Sequence, residues 1–110
     1  HIVDRVKDLV IRGGENISCI EVEAAIYEHK DVLEACIIGV PDERLGEQVG
    51  SAIHLKPGVE LTPEDIQQFL HGKIAKFKIP FDIRFYKEPL PKIASGKFDK
   101  PQLRKLFAEN

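Results

Sequence analysis

Residues 90–100 read LPKIASGKFDK, which places Lys97 on a small-residue turn, Ala94-Ser95-Gly96, behind Pro89 and Pro91. A lysine held this way is either a solvated turn residue, the ordinary setting of Ser and Gly, or an ammonium presented to an anion. A second glycine turn, Gly13-Gly14, lies near the start and is followed by Glu15-Asn16. Only glycine enters positive φ without strain, so that pair must reverse the chain. No compact catalytic set accompanies the two turns. Ser18, Ser51 and Ser95 lack a nucleophile-elbow context, and no histidine has an obvious acid–base partner. His1, His29, His54 and His71 show no metal-ligand spacing, so no metal is expected in this chain. A Walker-type phosphate loop is absent.

The 110 residues carry a net charge of −2, which conceals a segregation. Residues 1–70 hold 6 basic and 14 acidic side chains, a balance of −8, whereas residues 71–105 hold 10 and 3, a balance of +7. Such asymmetry points to an anionic partner for the second half, with nucleic acid, phosphate or a nucleotide all open. The length suits one domain with one core. No apolar run reaches the length of a membrane span, and the first residues do not read as a signal peptide. Cys19 and Cys36 are too few for a disulfide scaffold and read as small apolar fillers in a reducing compartment, the cytoplasm.

The elements that must position the two turns follow from periodicity. Residues 2–11 alternate loosely around Lys7-Asp8 and read as two short strands before the glycines. Ser18 and Glu21 form a capping box that opens a helix to about His29, with Ile20, Ala24 and Tyr27 on its core face. Val32 to Val40 is a buried strand ended by Pro41-Asp42, and Gln48 to Leu55 is the next. Thr62-Pro63-Glu64-Asp65 opens a second helix whose stripe is Ile66, Phe69, Leu70 and Ile74. Asp82 to Tyr86 is a third core strand. A last helix starts near Lys100-Pro101 and buries Leu103, Leu106 and Phe107. The expected fold is α+β: a small three-stranded sheet flanked by helices, with an N-terminal two-stranded hairpin beside it.

Two blocks taken together carry a resemblance. DRVKDLVIRGGENISCIEVE at 4–23 and LPKIASGK at 90–97 closely resemble signature blocks of the adenylate-forming superfamily, which includes acyl-CoA synthetases, peptide-synthetase adenylation domains and luciferases. GVPDERLGEQVGSAIHLKPG at 39–58 and AKFKIP at 75–80 fit as well, so the resemblance covers nearly the whole chain. It implies that residues 1–110 are the small C-terminal domain of such an enzyme, beginning at the interdomain hinge, with the large N-terminal domain absent. GGEN followed by EVE is similar to acyl- and aryl-CoA ligases; peptide-synthetase domains more often carry Arg-Ile-Glu there. The pattern departs at Lys30, often proline, and at Lys100, more often arginine.

The resemblance further implies roles. Lys97 would contact the substrate carboxylate and the α-phosphate region of ATP as an acyl-adenylate forms. Lys7 and Asp8 would be the hinge, and Arg5 would brace its nucleotide end. After rotation about that hinge, Gly13, Gly14 and Glu15 would line the pantetheine tunnel, and Phe77 and Lys78 would meet the CoA nucleotide. Glu21 and Glu23 lie near that face, with helix capping as the alternative. Lys97 also stands in a Pro-x-x-x-x-Gly-Lys context similar to that in which protein acetyltransferases modify acyl-CoA synthetases. ATP and CoA are then substrates, and Mg2+ is expected to bind outside this domain. A carrier-protein adenylation domain and a non-catalytic nucleic-acid or anion-binding module remain as alternatives. On the leading reading no nucleic acid is bound, and the isolated 110 residues fold without activating any acid.

Overall fold

The computed structural model describes residues 9–108. Strands β1 (Leu9–Arg12) and β2 (Glu15–Ser18) form a hairpin, followed by helix α1 (Cys19–Tyr27). Then come β3 (Val32–Asp42), β4 (Gly46–Leu55), helix α2 (Pro63–Leu70), a 3₁₀ turn at Lys76–Lys78, β5 (Asp82–Tyr86) and helix α3 (Lys100–Ala108). β3 and β4 pair antiparallel from Val32↔Leu55 to Asp42↔Gly46, with a register shift between Val32 and Glu34. β5 runs parallel to β4, from Gly50↔Asp82 to His54↔Tyr86. The expected α+β architecture holds, with the added detail that the hairpin joins the sheet through Arg12↔Gly46.

Helices cover both faces of the sheet. Along β3, Ala35 and Ile37 belong to a core shared with Val22 and Ile26 of α1 and Ile66 and Leu70 of α2. Cys36 and Ile38 point the other way, into a second core with Leu90 and with Leu103 and Phe107 of α3. Burial on both faces is why this strand reads as an unbroken apolar run instead of alternating.

Four local expectations are corrected. The hairpin strands flank Gly13-Gly14, so β2 follows the glycines; the strand expected before Lys7 lies outside the described residues. β3 continues through Pro41, which pairs with Glu47. Among the described residues its registered partner is β4 alone, which puts β3 at the edge of the sheet they form, where a residue without an N–H is tolerated. Helix α1 buries Cys19, Val22, Ala25 and Ile26, while Ile20 and Tyr27 are exposed. Its sequence, CIEVEAAIY, is apolar nearly all round, so periodicity could not select the buried face. At its start Ser18 accepts from the Glu21 N–H at 3.4 Å, but the Glu21 carboxylate turns to Lys78 instead of back to the cap. α2 has the full reciprocal box, Thr62 with Asp65.

Candidate active-site loops

The Lys97 turn is a tight hairpin. The Gly96 N–H donates to the Ile93 carbonyl at 2.9 Å and the Ile93 N–H to the Lys97 carbonyl at 2.8 Å. Gly96 has φ of 93°, a left-handed conformation, and a Cβ there would meet nothing within 4 Å. Backbone geometry, not crowding, therefore selects glycine. The Asp99 N–H donates to the Pro91 carbonyl at 2.9 Å and closes the base, and the Asp99 side chain accepts from Gln102 N–H at the start of α3. Lys97 is exposed at the tip, and its ammonium makes no ion pair among the described residues.

The root of this loop is fastened to β3. Glu34 Oε1 accepts the Leu90 N–H at 2.8 Å, and Oε2 takes the Lys92 ammonium. Burial would raise the Glu34 carboxyl, but the Lys92 ammonium and the Leu90 N–H outweigh it and hold it below its ordinary value. His54 Nδ1 stands 3.5 Å from the same Oε1.

The Gly13-Gly14 turn has both φ angles positive, 56° and 90°. That is the pattern of a two-residue turn matched to strand twist. The Gly13 N–H donates to the Leu45 carbonyl at 2.8 Å, and a Cβ on Gly13 would lie 2.9 Å from Leu45 Cδ2. Leu45 is placed in turn by Asp42, whose Oδ1 accepts from the Leu45 and Arg44 N–H groups, each at 2.9 Å. Those amide bonds, Leu45 first, hold the Asp42 carboxyl below its ordinary value. Glu15 is exposed beside the turn. The two glycine turns thus hang from opposite ends of β3, one at Glu34 and the other at Asp42, roughly 26 Å apart by strand rise.

Phe77 is half-buried, packed against the first core, and also lines a cleft of about 270 Å³ with Arg12, Gln48, His71, Lys76 and Phe81. Core packing and cleft lining coexist in this side chain. Phe81 is 68% exposed at the cleft, and its backbone N–H is anchored to the Val49 carbonyl. Lys78 is bound to both carboxylate oxygens of Glu21, at 2.9 and 3.0 Å.

The charge segregation has an internal explanation. Lys73 pairs with Glu28, Lys78 with Glu21, Lys92 with Glu34 and Lys100 with Glu23, each joining the basic half to the acidic half. Arg84 pairs with Asp82, lies over the Phe107 ring at 4.3 Å and donates to the Phe107 carbonyl at the end of α3. Much of the apparent demand for an anionic partner is met inside the fold. Glu23 also accepts the Ile37 N–H at 2.8 Å, a bracing contact between α1 and β3.

Arg5, Lys7 and Asp8 lie outside the described residues. Among the described residues no group of three or more His, Cys, Asp or Glu side chains could hold a metal ion, and no helix is long and apolar enough to cross a membrane. Glu34, His54 and Lys92 at one loop, and Asp42, Leu45, Arg12 and Phe81 at the other, went unmarked in the sequence. Arg12, Asp42, Leu45, His54 and Lys92 lie inside the quoted blocks without a site role assigned to them, and Glu34 and Phe81 lie outside all of those blocks.

The chain matches the family described as AMP-binding enzyme C-terminal domain over residues 21–97, and it belongs to that family. It is 47% identical over 103 residues to a mitochondrial medium-chain acyl-CoA ligase of Danio rerio, covering 94% of this chain and 17% of that protein. It is 42% identical over 109 residues to an oxalate–CoA ligase of Arabidopsis thaliana, covering 99% of this chain and 21% of that one. Among solved structures, apo MatB from Rhodopseudomonas palustris matches with a TM-score of 0.87 and 36% identity, over 92% of this chain and 20% of its own. The chain spans about a fifth of the length of the curated relatives it matches.

Proposed function

We propose that this domain is the mobile C-terminal part of an AMP-forming acyl-CoA ligase, which activates a carboxylic acid with ATP and passes the acyl group to CoA. The observation that carries this reading is Lys97: an ammonium unpaired among the described residues, on an anchored, left-handed glycine turn, in a chain whose relatives are named acyl-CoA ligases. In adenylation two anions must meet, and charge builds on the α-phosphate oxygens as pyrophosphate leaves. A compact ammonium brought in by a closing domain neutralises that charge where water is excluded. Lys97 has no role here as nucleophile or base.

The large N-terminal domain supplies the acyl pocket and the Mg2+ that accompanies ATP. Rotation about Lys7-Asp8, with Arg5 at its nucleotide end, withdraws Lys97 and brings the opposite end of β3 to CoA. Gly13, Gly14 and Glu15 then border the pantetheine arm, while Phe77 and Lys78 meet the nucleotide. The cleft shared by Arg12, Lys76, Phe77 and Phe81 supports that placement, since it combines cations with an exposed aromatic face. The scarcity of cysteine, two in 110 residues, supports a reducing compartment, the cytoplasm. Acetylation of Lys97 by a protein acetyltransferase is proposed as an off-switch, because it deletes the charge.

The full-length protein is expected to exchange pyrophosphate into ATP only when a carboxylic acid is present, and to release acyl-CoA when CoA is added. Exchange with no thioester until a carrier protein is supplied would favour the carrier-protein reading. Absence of exchange with every class of acid, together with salt-sensitive binding of DNA or RNA, would favour the nucleic-acid module.

A further inference from the structure

The segment from Lys87 to Asp99 contains no regular strand or helix, yet it must present Lys97 reproducibly. Two contacts hold its root. The Leu90 side chain is buried in the second core, and its N–H, like the Lys92 ammonium, ends on Glu34. Lys92 is further placed 5.5 Å from the Phe98 ring centroid, across the hairpin's Lys92↔Phe98 bridge. The Glu34 side chain is only 19% exposed and sits on β3, within the antiparallel ladder to β4. One carboxylate therefore holds the incoming arm of the loop at two points, one oxygen on the Leu90 backbone and one on the Lys92 side chain, and transfers the rigidity of the sheet to the turn. His54 Nδ1, buried and without a hydrogen-bond partner in the described residues, faces the same oxygen at 3.5 Å.

We infer that Glu34 is a positioning residue for Lys97: it holds the loop root so that the ammonium arrives in register with the reacting anions. The inference rests on the adenylation role given to Lys97 above. It predicts an effect on one half-reaction and not on the other, because only adenylation uses this loop. A misplacement of about 1 Å at a reacting group can lower a rate by ~10²-fold.

The test compares Glu34→Ala, Glu34→Gln and Lys97→Ala in the full-length enzyme. Each half-reaction is assayed separately, and hydrogen exchange is followed over residues 87–96. Glu34→Ala is expected to lower kcat for adenylation by roughly 10- to 100-fold, with KM for ATP and acid little changed. Thioester formation from supplied acyl-AMP stays near the parent rate. Exchange at the Leu90 amide accelerates in Glu34→Ala. Glu34→Gln, whose amide oxygen still accepts from Leu90, recovers exchange protection and part of the rate; it also serves if the alanine variant does not fold. Unchanged exchange in Glu34→Ala would overturn the proposal. So would loosened exchange with normal adenylation while Lys97→Ala is impaired, or equal losses in both half-reactions. If Lys97→Ala itself adenylates normally, the reading beneath the proposal has failed and the positioning role falls with it.

Discussion

Lys97 and Lys78 are both lysines beside small turns, both assigned to anionic ligands, and the fold treats them oppositely. Lys97 projects from a hairpin whose root is clamped by Glu34, and its ammonium is unpaired among the described residues. Lys78 follows a 3₁₀ turn and is already spanned by both oxygens of Glu21. A phosphate can reach Lys97 without displacing anything, but must compete with a carboxylate for Lys78. Rigidity is invested in the backbone at one end of β3 and in an ion pair at the other. The first arrangement suits a group that must neutralise charge in a transition state, the second a group that adjusts affinity.

The largest expected effect is on Lys97. Acetylating it, verified by mass spectrometry, should lower adenylation by ~10²–10³, the usual loss when one preorganised charge donor is removed. Deacetylation should restore the rate. Full adenylation by enzyme modified at Lys97 would remove the contrast with Lys78. Lys97→Arg should rescue poorly, because a planar fork does not replace a point charge.

Next come the glycines. Gly13→Ala adds left-handed strain of about 1–2 kcal/mol to a contact of 2.9 Å with Leu45 Cδ2. Gly96→Ala adds the strain alone, since nothing lies within 4 Å. Thermal unfolding should therefore show the larger drop in Tm for Gly13→Ala. Equal drops would mean that Leu45 yields freely and that the two turns differ less than their surroundings suggest.

Smaller still is Lys78. Its pair with Glu21 is partly exposed, so Lys78→Ala should change stability by less than ~1 kcal/mol. KM for CoA should rise by at most about tenfold, the equivalent of one ordinary hydrogen bond, with adenylation unaffected. Glu21→Gln, which releases Lys78, should lower KM for CoA. A rise instead would place Lys78 outside the CoA site.

The smallest effect is that of pH on the loop root. Glu34 has a carboxyl held below its ordinary value, so its contribution is complete above the unfolded-state pKa and is lost as pH falls through the depressed folded value. Hydrogen exchange at Leu90, corrected for its intrinsic rate, should stay constant at neutral pH and rise only below the ordinary carboxylate range. Loosening between pH 6 and 8 would contradict a clamp made by the carboxylate.

Ser95-Gly96-Lys97 and Gly13-Gly14 were legible because turn chemistry is local: glycine at positive φ leaves its mark within a few residues. The three core strands and the second helix were legible for the same reason, through β-branched runs and the Thr62 cap. Glu34 was not, since it lies 56 residues from Leu90 and nothing in a charged residue near the start of an apolar strand says which loop it clamps. β2 was missed because Glu15-Asn16-Ile17-Ser18 offers one apolar residue, Ile17, to a period-two pattern. The charge segregation was visible but misdirected, because sequence separation hides the pairing of Lys73, Lys78, Lys92 and Lys100 with acids of the first half.

The central claim is that the Lys97 loop serves adenylation alone. Its most direct test is Lys97→Ala in the full-length enzyme, with acyl-AMP formation and acyl transfer from supplied acyl-AMP to CoA measured separately. The first should fall by at least ~10² while the second stays near the parent rate. A variant that adenylates normally, or one equally impaired in both steps, would contradict it.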